Sequence, residues 1–127
     1  MAIRIFHKDE PELRMPMIAQ DARLVVWLGA GSHTANMNYV DMQPGERNIP
    51  HAHPNSEDTI FVLDGEGTVE DLTNNLTYDV RAGQVVHVPA GLVHAVRADK
   101  GVRIESVGGP APADEAMLKK MGIEINL

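Results

Sequence analysis

The chain has 127 residues, 43% hydrophobic and 23% charged, an ordinary globular balance that fits one domain, 1–127, and leaves little room for a second. Its formal net charge is −7 with no basic stripe, so repulsion from a phosphate backbone argues against a nucleic-acid partner. It has no cysteine, which excludes disulfides and thiolate chemistry and leaves only nitrogen and oxygen ligands for any metal.

The N-terminus, MAIRIFHKDEPELR, lacks the apolar stretch of a signal peptide. The longest apolar run, LVVWLGA at 24–30, is too short to cross a bilayer. The expectation is a soluble, cytoplasmic protein with no membrane partner. Asp9–Met17 has weak helical character, interrupted by Pro11 and Pro16. Glycine and proline then cut the chain into short β-type runs: Arg23–Leu28, Ala35–Met42, Thr59–Leu63, Thr68–Leu72, Leu76–Val80, Gln84–Val88, Val93–Ala98 and Val102–Val107. Gly65-Glu66-Gly67, Thr73-Asn74-Asn75 and Pro89-Ala90-Gly91 supply turn chemistry between them. Short strands with turn signals predict an all-β sandwich or barrel. Gly108–Ala113, GGPAPA, reads as a loop leaving it.

A short helix is expected over Asp114–Met121. Asp114 and Glu115 open it, Lys119 and Lys120 close it, and Gly122 suits the left-handed cap. Met117, Leu118 and Met121 give it an apolar side that could close one barrel end. Ile123, Ile125 and Leu127 then alternate with Glu124 and Asn126, the pattern of a terminal strand.

The chemistry gathers around histidines. His51 and His53, two apart, present both imidazoles to one side of an extended chain. After Pro54-Asn55-Ser56 a strand returns, bringing Glu57 or Asp58 beside them. A second histidine site follows in AGQVVHVPAGLVH, which ends at His94. Three neutral imidazoles and a carboxylate suit a divalent Fe, Mn, Zn, Ni or Cu ion. The plain alternative, scattered surface or core histidines, fits His51 and His53 taken alone.

Taken together, the two segments resemble the two motifs of the cupin family. Gly45, five residues and His51-Ala52-His53 match the first; Gly83, Pro89, Gly91 and His94 match the second at every spacing. The second motif's last position is Ala98 where the family pattern has Asn. The resemblance spans about 35–107 and implies a cupin-type double-stranded β-helix, or jelly-roll, barrel. It implies metal ligation by His51, His53, His94 and one acid. The acid is where the chain departs from the pattern. Glu57 has the family's usual residue type but puts Asp64 where a glycine belongs; Asp58 keeps both spacings and leads to Gly65. Alternation agrees with the count, since Asp58, Ile60 and Val62 share one face and Glu57, Thr59, Phe61 and Leu63 the other. Asp58 is favoured.

His87 shares a face with Val85 and is read as an acid/base candidate for the pocket, against a half-buried strand histidine. His7 and His33 read as solvated, and Trp27, Met37, Tyr39 and Phe61 as core or cavity wall. Aromatics are 4% of the chain, so the pocket walls should be aliphatic. Arg47 is either a surface residue or an attractor for anionic substrate. No phosphate loop, nucleophile elbow or HExxH motif competes. The resemblance implies a metal-dependent enzyme acting on a small oxygenated substrate, foremost a dioxygenase type. An isomerase, epimerase or lyase of a sugar or acid derivative and a non-catalytic ligand-binding protein are the alternatives. It also implies a homodimer, for which Ile3, Ile5, Ile123, Ile125 and Leu127 offer apolar edge material; the equal alternative is that they pack on their own barrel.

Overall fold

Side chains along residues 57–64 alternate in burial: Asp58 and Val62 are buried, Ile60 is half-buried, and Glu57, Thr59, Phe61 and Leu63 are exposed. That period-two pattern makes this segment one strand of a sheet with a single covered face. The computed structural model describes residues 1–125. It contains eight strands, β1 (Asp21–Val26), β2 (Met37–Met42), β3 (Glu57–Asp64), β4 (Glu66–Asp71), β5 (Leu76–Arg81), β6 (Val85–Val88), β7 (His94–Arg97) and β8 (Ile104–Ala111). One helix, α1 (Glu115–Lys120), follows them. The antiparallel strands form a five-stranded sheet in the order β1-β2-β8-β3-β6 and a three-stranded sheet in the order β5-β4-β7.

The inner faces of the two sheets meet in an apolar core. Leu24 and Met42 come from one edge, Val62 and Ile104 from the middle, and Val69 and Val80 from the facing sheet. Met15, Trp27, Leu118 and Ile123 close it off. Among the described residues no helix is long and apolar enough to cross a membrane.

Every expected run contains a strand, but four boundaries or elements differ. The first run ends early, because Leu28–Ala30 turn into a 3-10 helix. No helix forms over Asp9–Met17; the segment is held by turns and by an isolated pairing of Arg14 with Arg23. GGPAPA is not a loop at its start, since β8 continues through Gly108, Gly109 and Pro110 to Ala111. Residues 123–125 form no strand; Ile123 instead packs into the core. Leu127 lies outside the described residues. The expected helix does form, with Asp114 as N-cap and a left-handed Gly122 just beyond Met121.

Strand β8 explains the glycines. It lies between β2 and β3, with Gly108 opposite both Asn38 and Ile60. A Cβ on Gly108 would lie 1.9 Å from the Thr59 carbonyl oxygen, and φ is +140° there. Only glycine lets β8 pass at that distance.

Gly65, which set the register at sequence level, is constrained in the same way. Its φ is +90°, and a Cβ would lie 1.8 Å from the Arg103 carbonyl oxygen. Gly83 also has φ +90° but nothing within 4 Å. Urea denaturation should therefore separate the two. Gly83→Ala should lose about 1–2 kcal/mol, the conformational cost alone. Gly65→Ala should lose more than about 3 kcal/mol or fail to fold, since overpacking against backbone adds to that cost. Equal losses would mean the Arg103 carbonyl yields.

Candidate metal centre

The two histidine segments meet through backbone. Residues 47–51 run antiparallel beside β7, pairing Arg47 with Arg97 and His51 with His94. The His51 amide donates to the His94 carbonyl at 3.1 Å and the His94 amide returns the bond at 2.9 Å. Directly opposed residues send their side chains to the same face, and the two rings lie 4.6 Å apart between centroids. His53 follows on the same side, with ring centroids 4.7 Å from His51 and 5.5 Å from His94. The Pro89–Gly91 turn supports it, as the Gly91 amide donates to the His53 carbonyl at 2.9 Å. Asp58 comes from the opposite sheet, on the inward face of β3, beside Pro110 and Val88.

One ligand atom from each of His51, His53, Asp58 and His94 lies within 4.8 Å of the others. Asp58 Oδ2 stands 3.3 Å from His94 Nε2 and 3.5 Å from His53 Nε2. The acid that the fold brings to the histidines is thus Asp58. Glu57 points outward.

The imidazoles are oriented from behind. His51 Nδ1 donates to the Ile49 carbonyl at 2.6 Å, and His94 Nδ1 donates to the Leu92 carbonyl at 3.0 Å. A carbonyl only accepts, so each Nδ1 carries hydrogen and Nε2 is the nitrogen left to face the cavity. His53 Nδ1 donates to Asp114 Oδ2 at 2.9 Å. His53 Nε2, His94 Nε2 and Asp58 Oδ1 are buried without hydrogen-bond partners. Unpaired buried polar atoms are rare and costly. Here they converge with the charge and donor set that a divalent cation would satisfy, so the residues fit a metal.

Burial pushes the His51 pKa down to about 4, which keeps that ring neutral at physiological pH. Burial also opposes charge on His53, but the facing Asp58 and Asp114 carboxylates outweigh it and raise its pKa. Burial raises the Asp58 pKa in turn, and His53 and His94 outweigh that and lower it.

The centre lies in a cavity of about 90 Å³ between the sheets, several times the space one water needs. Val40, Met42, Ile60, Val86 and Val96 are among its walls, so the expected aliphatic lining is present. Asn36, Asn38 and Ser106 add neutral polar groups, and Met117, Leu118 and Met121 of the α1 segment cover one side. Among the described residues, the titratable groups lining the cavity are His51, His53, Asp58, His94 and Asp114.

His87 is not among them. It is exposed on the outer face of β6, and its Nε2 lies 2.7 Å from Glu57 Oε1. Val86 and Val88 take the inward positions, so strand alternation sends His87 away from the pocket. The reading of His87 as a pocket acid/base is corrected accordingly. Arg47 is engaged by Glu70 through two hydrogen bonds of 2.8 and 3.0 Å. Trp27 is core, Tyr39 is buried on the outer face under Arg23 and Lys8, and Phe61 and Met37 are exposed rather than cavity wall. His7 and His33 are exposed, as expected. Asp114 was legible as a helix cap but not as a partner of His53, which lies 61 residues away.

Comparison with known proteins agrees with this architecture. Residues 38–106, more than half of the chain, match the family model described as a cupin domain. Germin-like protein 3-5 of Oryza sativa subsp. japonica is 40% identical over 76 residues, covering 54% of this chain and 33% of that protein. Oxalate oxidase GF-3.8 of Triticum aestivum is 36% identical over 80 residues, covering 58% of this chain and 36% of that protein. The match thus spans about a third of the length of these relatives. The crystal structure of a predicted oxalate decarboxylase from Thermotoga maritima superposes with a TM-score of 0.72 at 16% identity, covering 86% of this chain and 99% of that one. The jelly-roll barrel, the two histidine segments it joins and the matched residues all lead to one assignment: the chain belongs to the cupin family.

Proposed function

We propose that this cupin is a metal-dependent enzyme that binds a small oxygenated organic molecule in its cavity and is of the oxygen-using, dioxygenase or oxidase type. One observation carries the reading. Three imidazoles and Asp58 direct their donors, several of them unpartnered, to one point of an aliphatic cavity. A divalent ion there would supply Lewis acidity and, if redox-active, a place for dioxygen and substrate together.

The chain's own residues define the rest. Ile49, Leu92 and Asp114 hold the three rings in the tautomer that presents Nε2. The aliphatic walls and the α1 segment exclude water from the reacting groups. Beyond the four ligands, the one titratable group lining the cavity among the described residues is Asp114, engaged by His53 and by its own helix. A reaction that needs a free protein base therefore has no residue for it. This favours the oxygen-using type over an isomerase or lyase.

A homodimer is part of the same reading. Phe61 and Leu63 on β3 and Val85 on β6 are exposed together on the outer face, and Ile3 and Ile5 extend from the N-terminus almost fully exposed. A second copy of the chain would cover both.

Three measurements test these statements. Metal analysis of purified variants should show Asp58→Ala losing affinity by more than about 100-fold, since a ligand is lost outright rather than a supporting partner. Glu57→Ala and His87→Ala should stay within about twofold of the parent; a loss confined to Glu57→Ala would reverse the assignment of the acid. Oxygen uptake should follow addition of oxalate, catechol, diketone or thiol substrates to iron- or manganese-loaded protein. Anaerobic turnover with zinc would instead establish an isomerase or lyase, and ligand-induced stabilisation without turnover a binding protein. Light scattering should report a dimer that weakens when Ile3 and Ile5 are changed to Ser; a monomeric parent protein would overturn the dimer.

A further inference from the structure

His51 and His94 lean on carbonyls two residues earlier in their own segments, Ile49 and Leu92. His53 differs, for its Nδ1 leans on a side chain from a separate element, Asp114 at 2.9 Å. Asp114 is also the N-cap of α1, where its Oδ1 accepts from the Met117 amide at 3.2 Å. One carboxylate therefore serves two structures at once, a ring of the metal centre with one oxygen and the first turn of the covering helix with the other. The helix it caps supplies Met117, Leu118 and Met121 to the cavity wall. The segment leading into α1 is tied to the start of β3 by the Ser56 hydroxyl, which donates to the Pro112 carbonyl at 2.6 Å.

We propose that Asp114 is a positioning residue that couples closure of the cavity by α1 to metal binding at His53. The proposal rests on the metal-dependent reading above. An imidazole ligated through Nε2 still needs its ring plane and tautomer fixed, and the acceptor at Nδ1 does both. If α1 moves off the barrel, Asp114 leaves with it and His53 loses that acceptor. If a cation occupies the site, the bond from His53 to Asp114 strengthens and holds α1 down. Coupling of this kind is reciprocal, so each event favours the other by the same factor.

Three substitutions separate the two jobs of the carboxylate. Asp114→Ser and Asp114→Asn keep a good N-cap. Serine is too short for His53, and asparagine offers a neutral amide in place of the charged acceptor. Asp114→Ala removes both functions. Zn²⁺ affinity, measured by competition with a chromophoric chelator, should fall 10–100-fold in all three. Hydrogen exchange should show Zn²⁺ slowing the Met117 and Leu118 amides in the parent protein, with the slowing lost in Asp114→Ser although its helix remains intact. Parent-like Zn²⁺ affinity in both Asp114→Ser and Asp114→Asn would reduce Asp114 to a cap and overturn the coupling, while leaving the metal site standing. A parent protein that binds no Zn²⁺ would overturn the metal reading itself, and the coupling with it.

Discussion

A carboxylate that is 5% exposed inside an apolar cavity, as Asp58 is, loses several kcal/mol of hydration that something positive must replace. The fold answers from the opposite sheet. His53 and His94 face Asp58 at 3.5 and 3.3 Å, and each is almost completely buried. The Asp58 and Asp114 carboxylates on either side of His53 raise its pKa against the opposing effect of burial. A proton and a divalent cation would compete for the same Nε2 lone pair of His53. His51 takes no part in this exchange, because burial keeps it neutral.

Much of the barrel follows from holding that arrangement. The donors come from two sheets, so the sheets must face each other at one fixed separation. The backbone pairing of His51 with His94 joins the two histidine segments without side-chain help. Gly45 extends the same join, its amide donating to the Ala98 carbonyl at 2.8 Å. Ala98 is fully buried and bonded through its backbone in both directions. Alanine therefore replaces the family's usual asparagine there without touching the centre.

The sequence is legible where physics is local. Period-two alternation and the spacing to Gly65 place Asp58 inward, and the reason is visible in the close approach of Gly65 to Arg103. The same alternation places His87 with Val85; once Val86 is on the inner face, His87 has to be on the outer one. What escapes the sequence is tertiary. Gly108-Gly109-Pro110 has the composition of a loop, yet glycine is required there because β8 is squeezed between β2 and β3. Ile123 and Ile125 alternate like a strand, but no neighbouring strand receives them and Ile123 fills the core under α1 instead. Asp114 carries an unmistakable cap signal that conceals its second contact, since nothing local ties it to a histidine in another motif.

The cavity also limits which charges a substrate can bring. Among the described residues no lysine or arginine lines it, and Arg47, within the first motif, is held by Glu70 outside. Its remaining polar side chains among the described residues, Asn36, Asn38, Asn48 and Ser106, are neutral. Asn36 donates to the Pro110 carbonyl, which leaves its own carbonyl oxygen without a partner, and the Asn38 oxygen is likewise unpaired. An anionic group entering this space would find compensating positive charge at a bound cation. Hydroxyl or amide hydrogens are the natural complement to the two asparagine oxygens. Under the proposed function, an anionic substrate would therefore carry its charge at its reacting end, and the rest of the molecule would be selected by shape and by neutral hydrogen bonds.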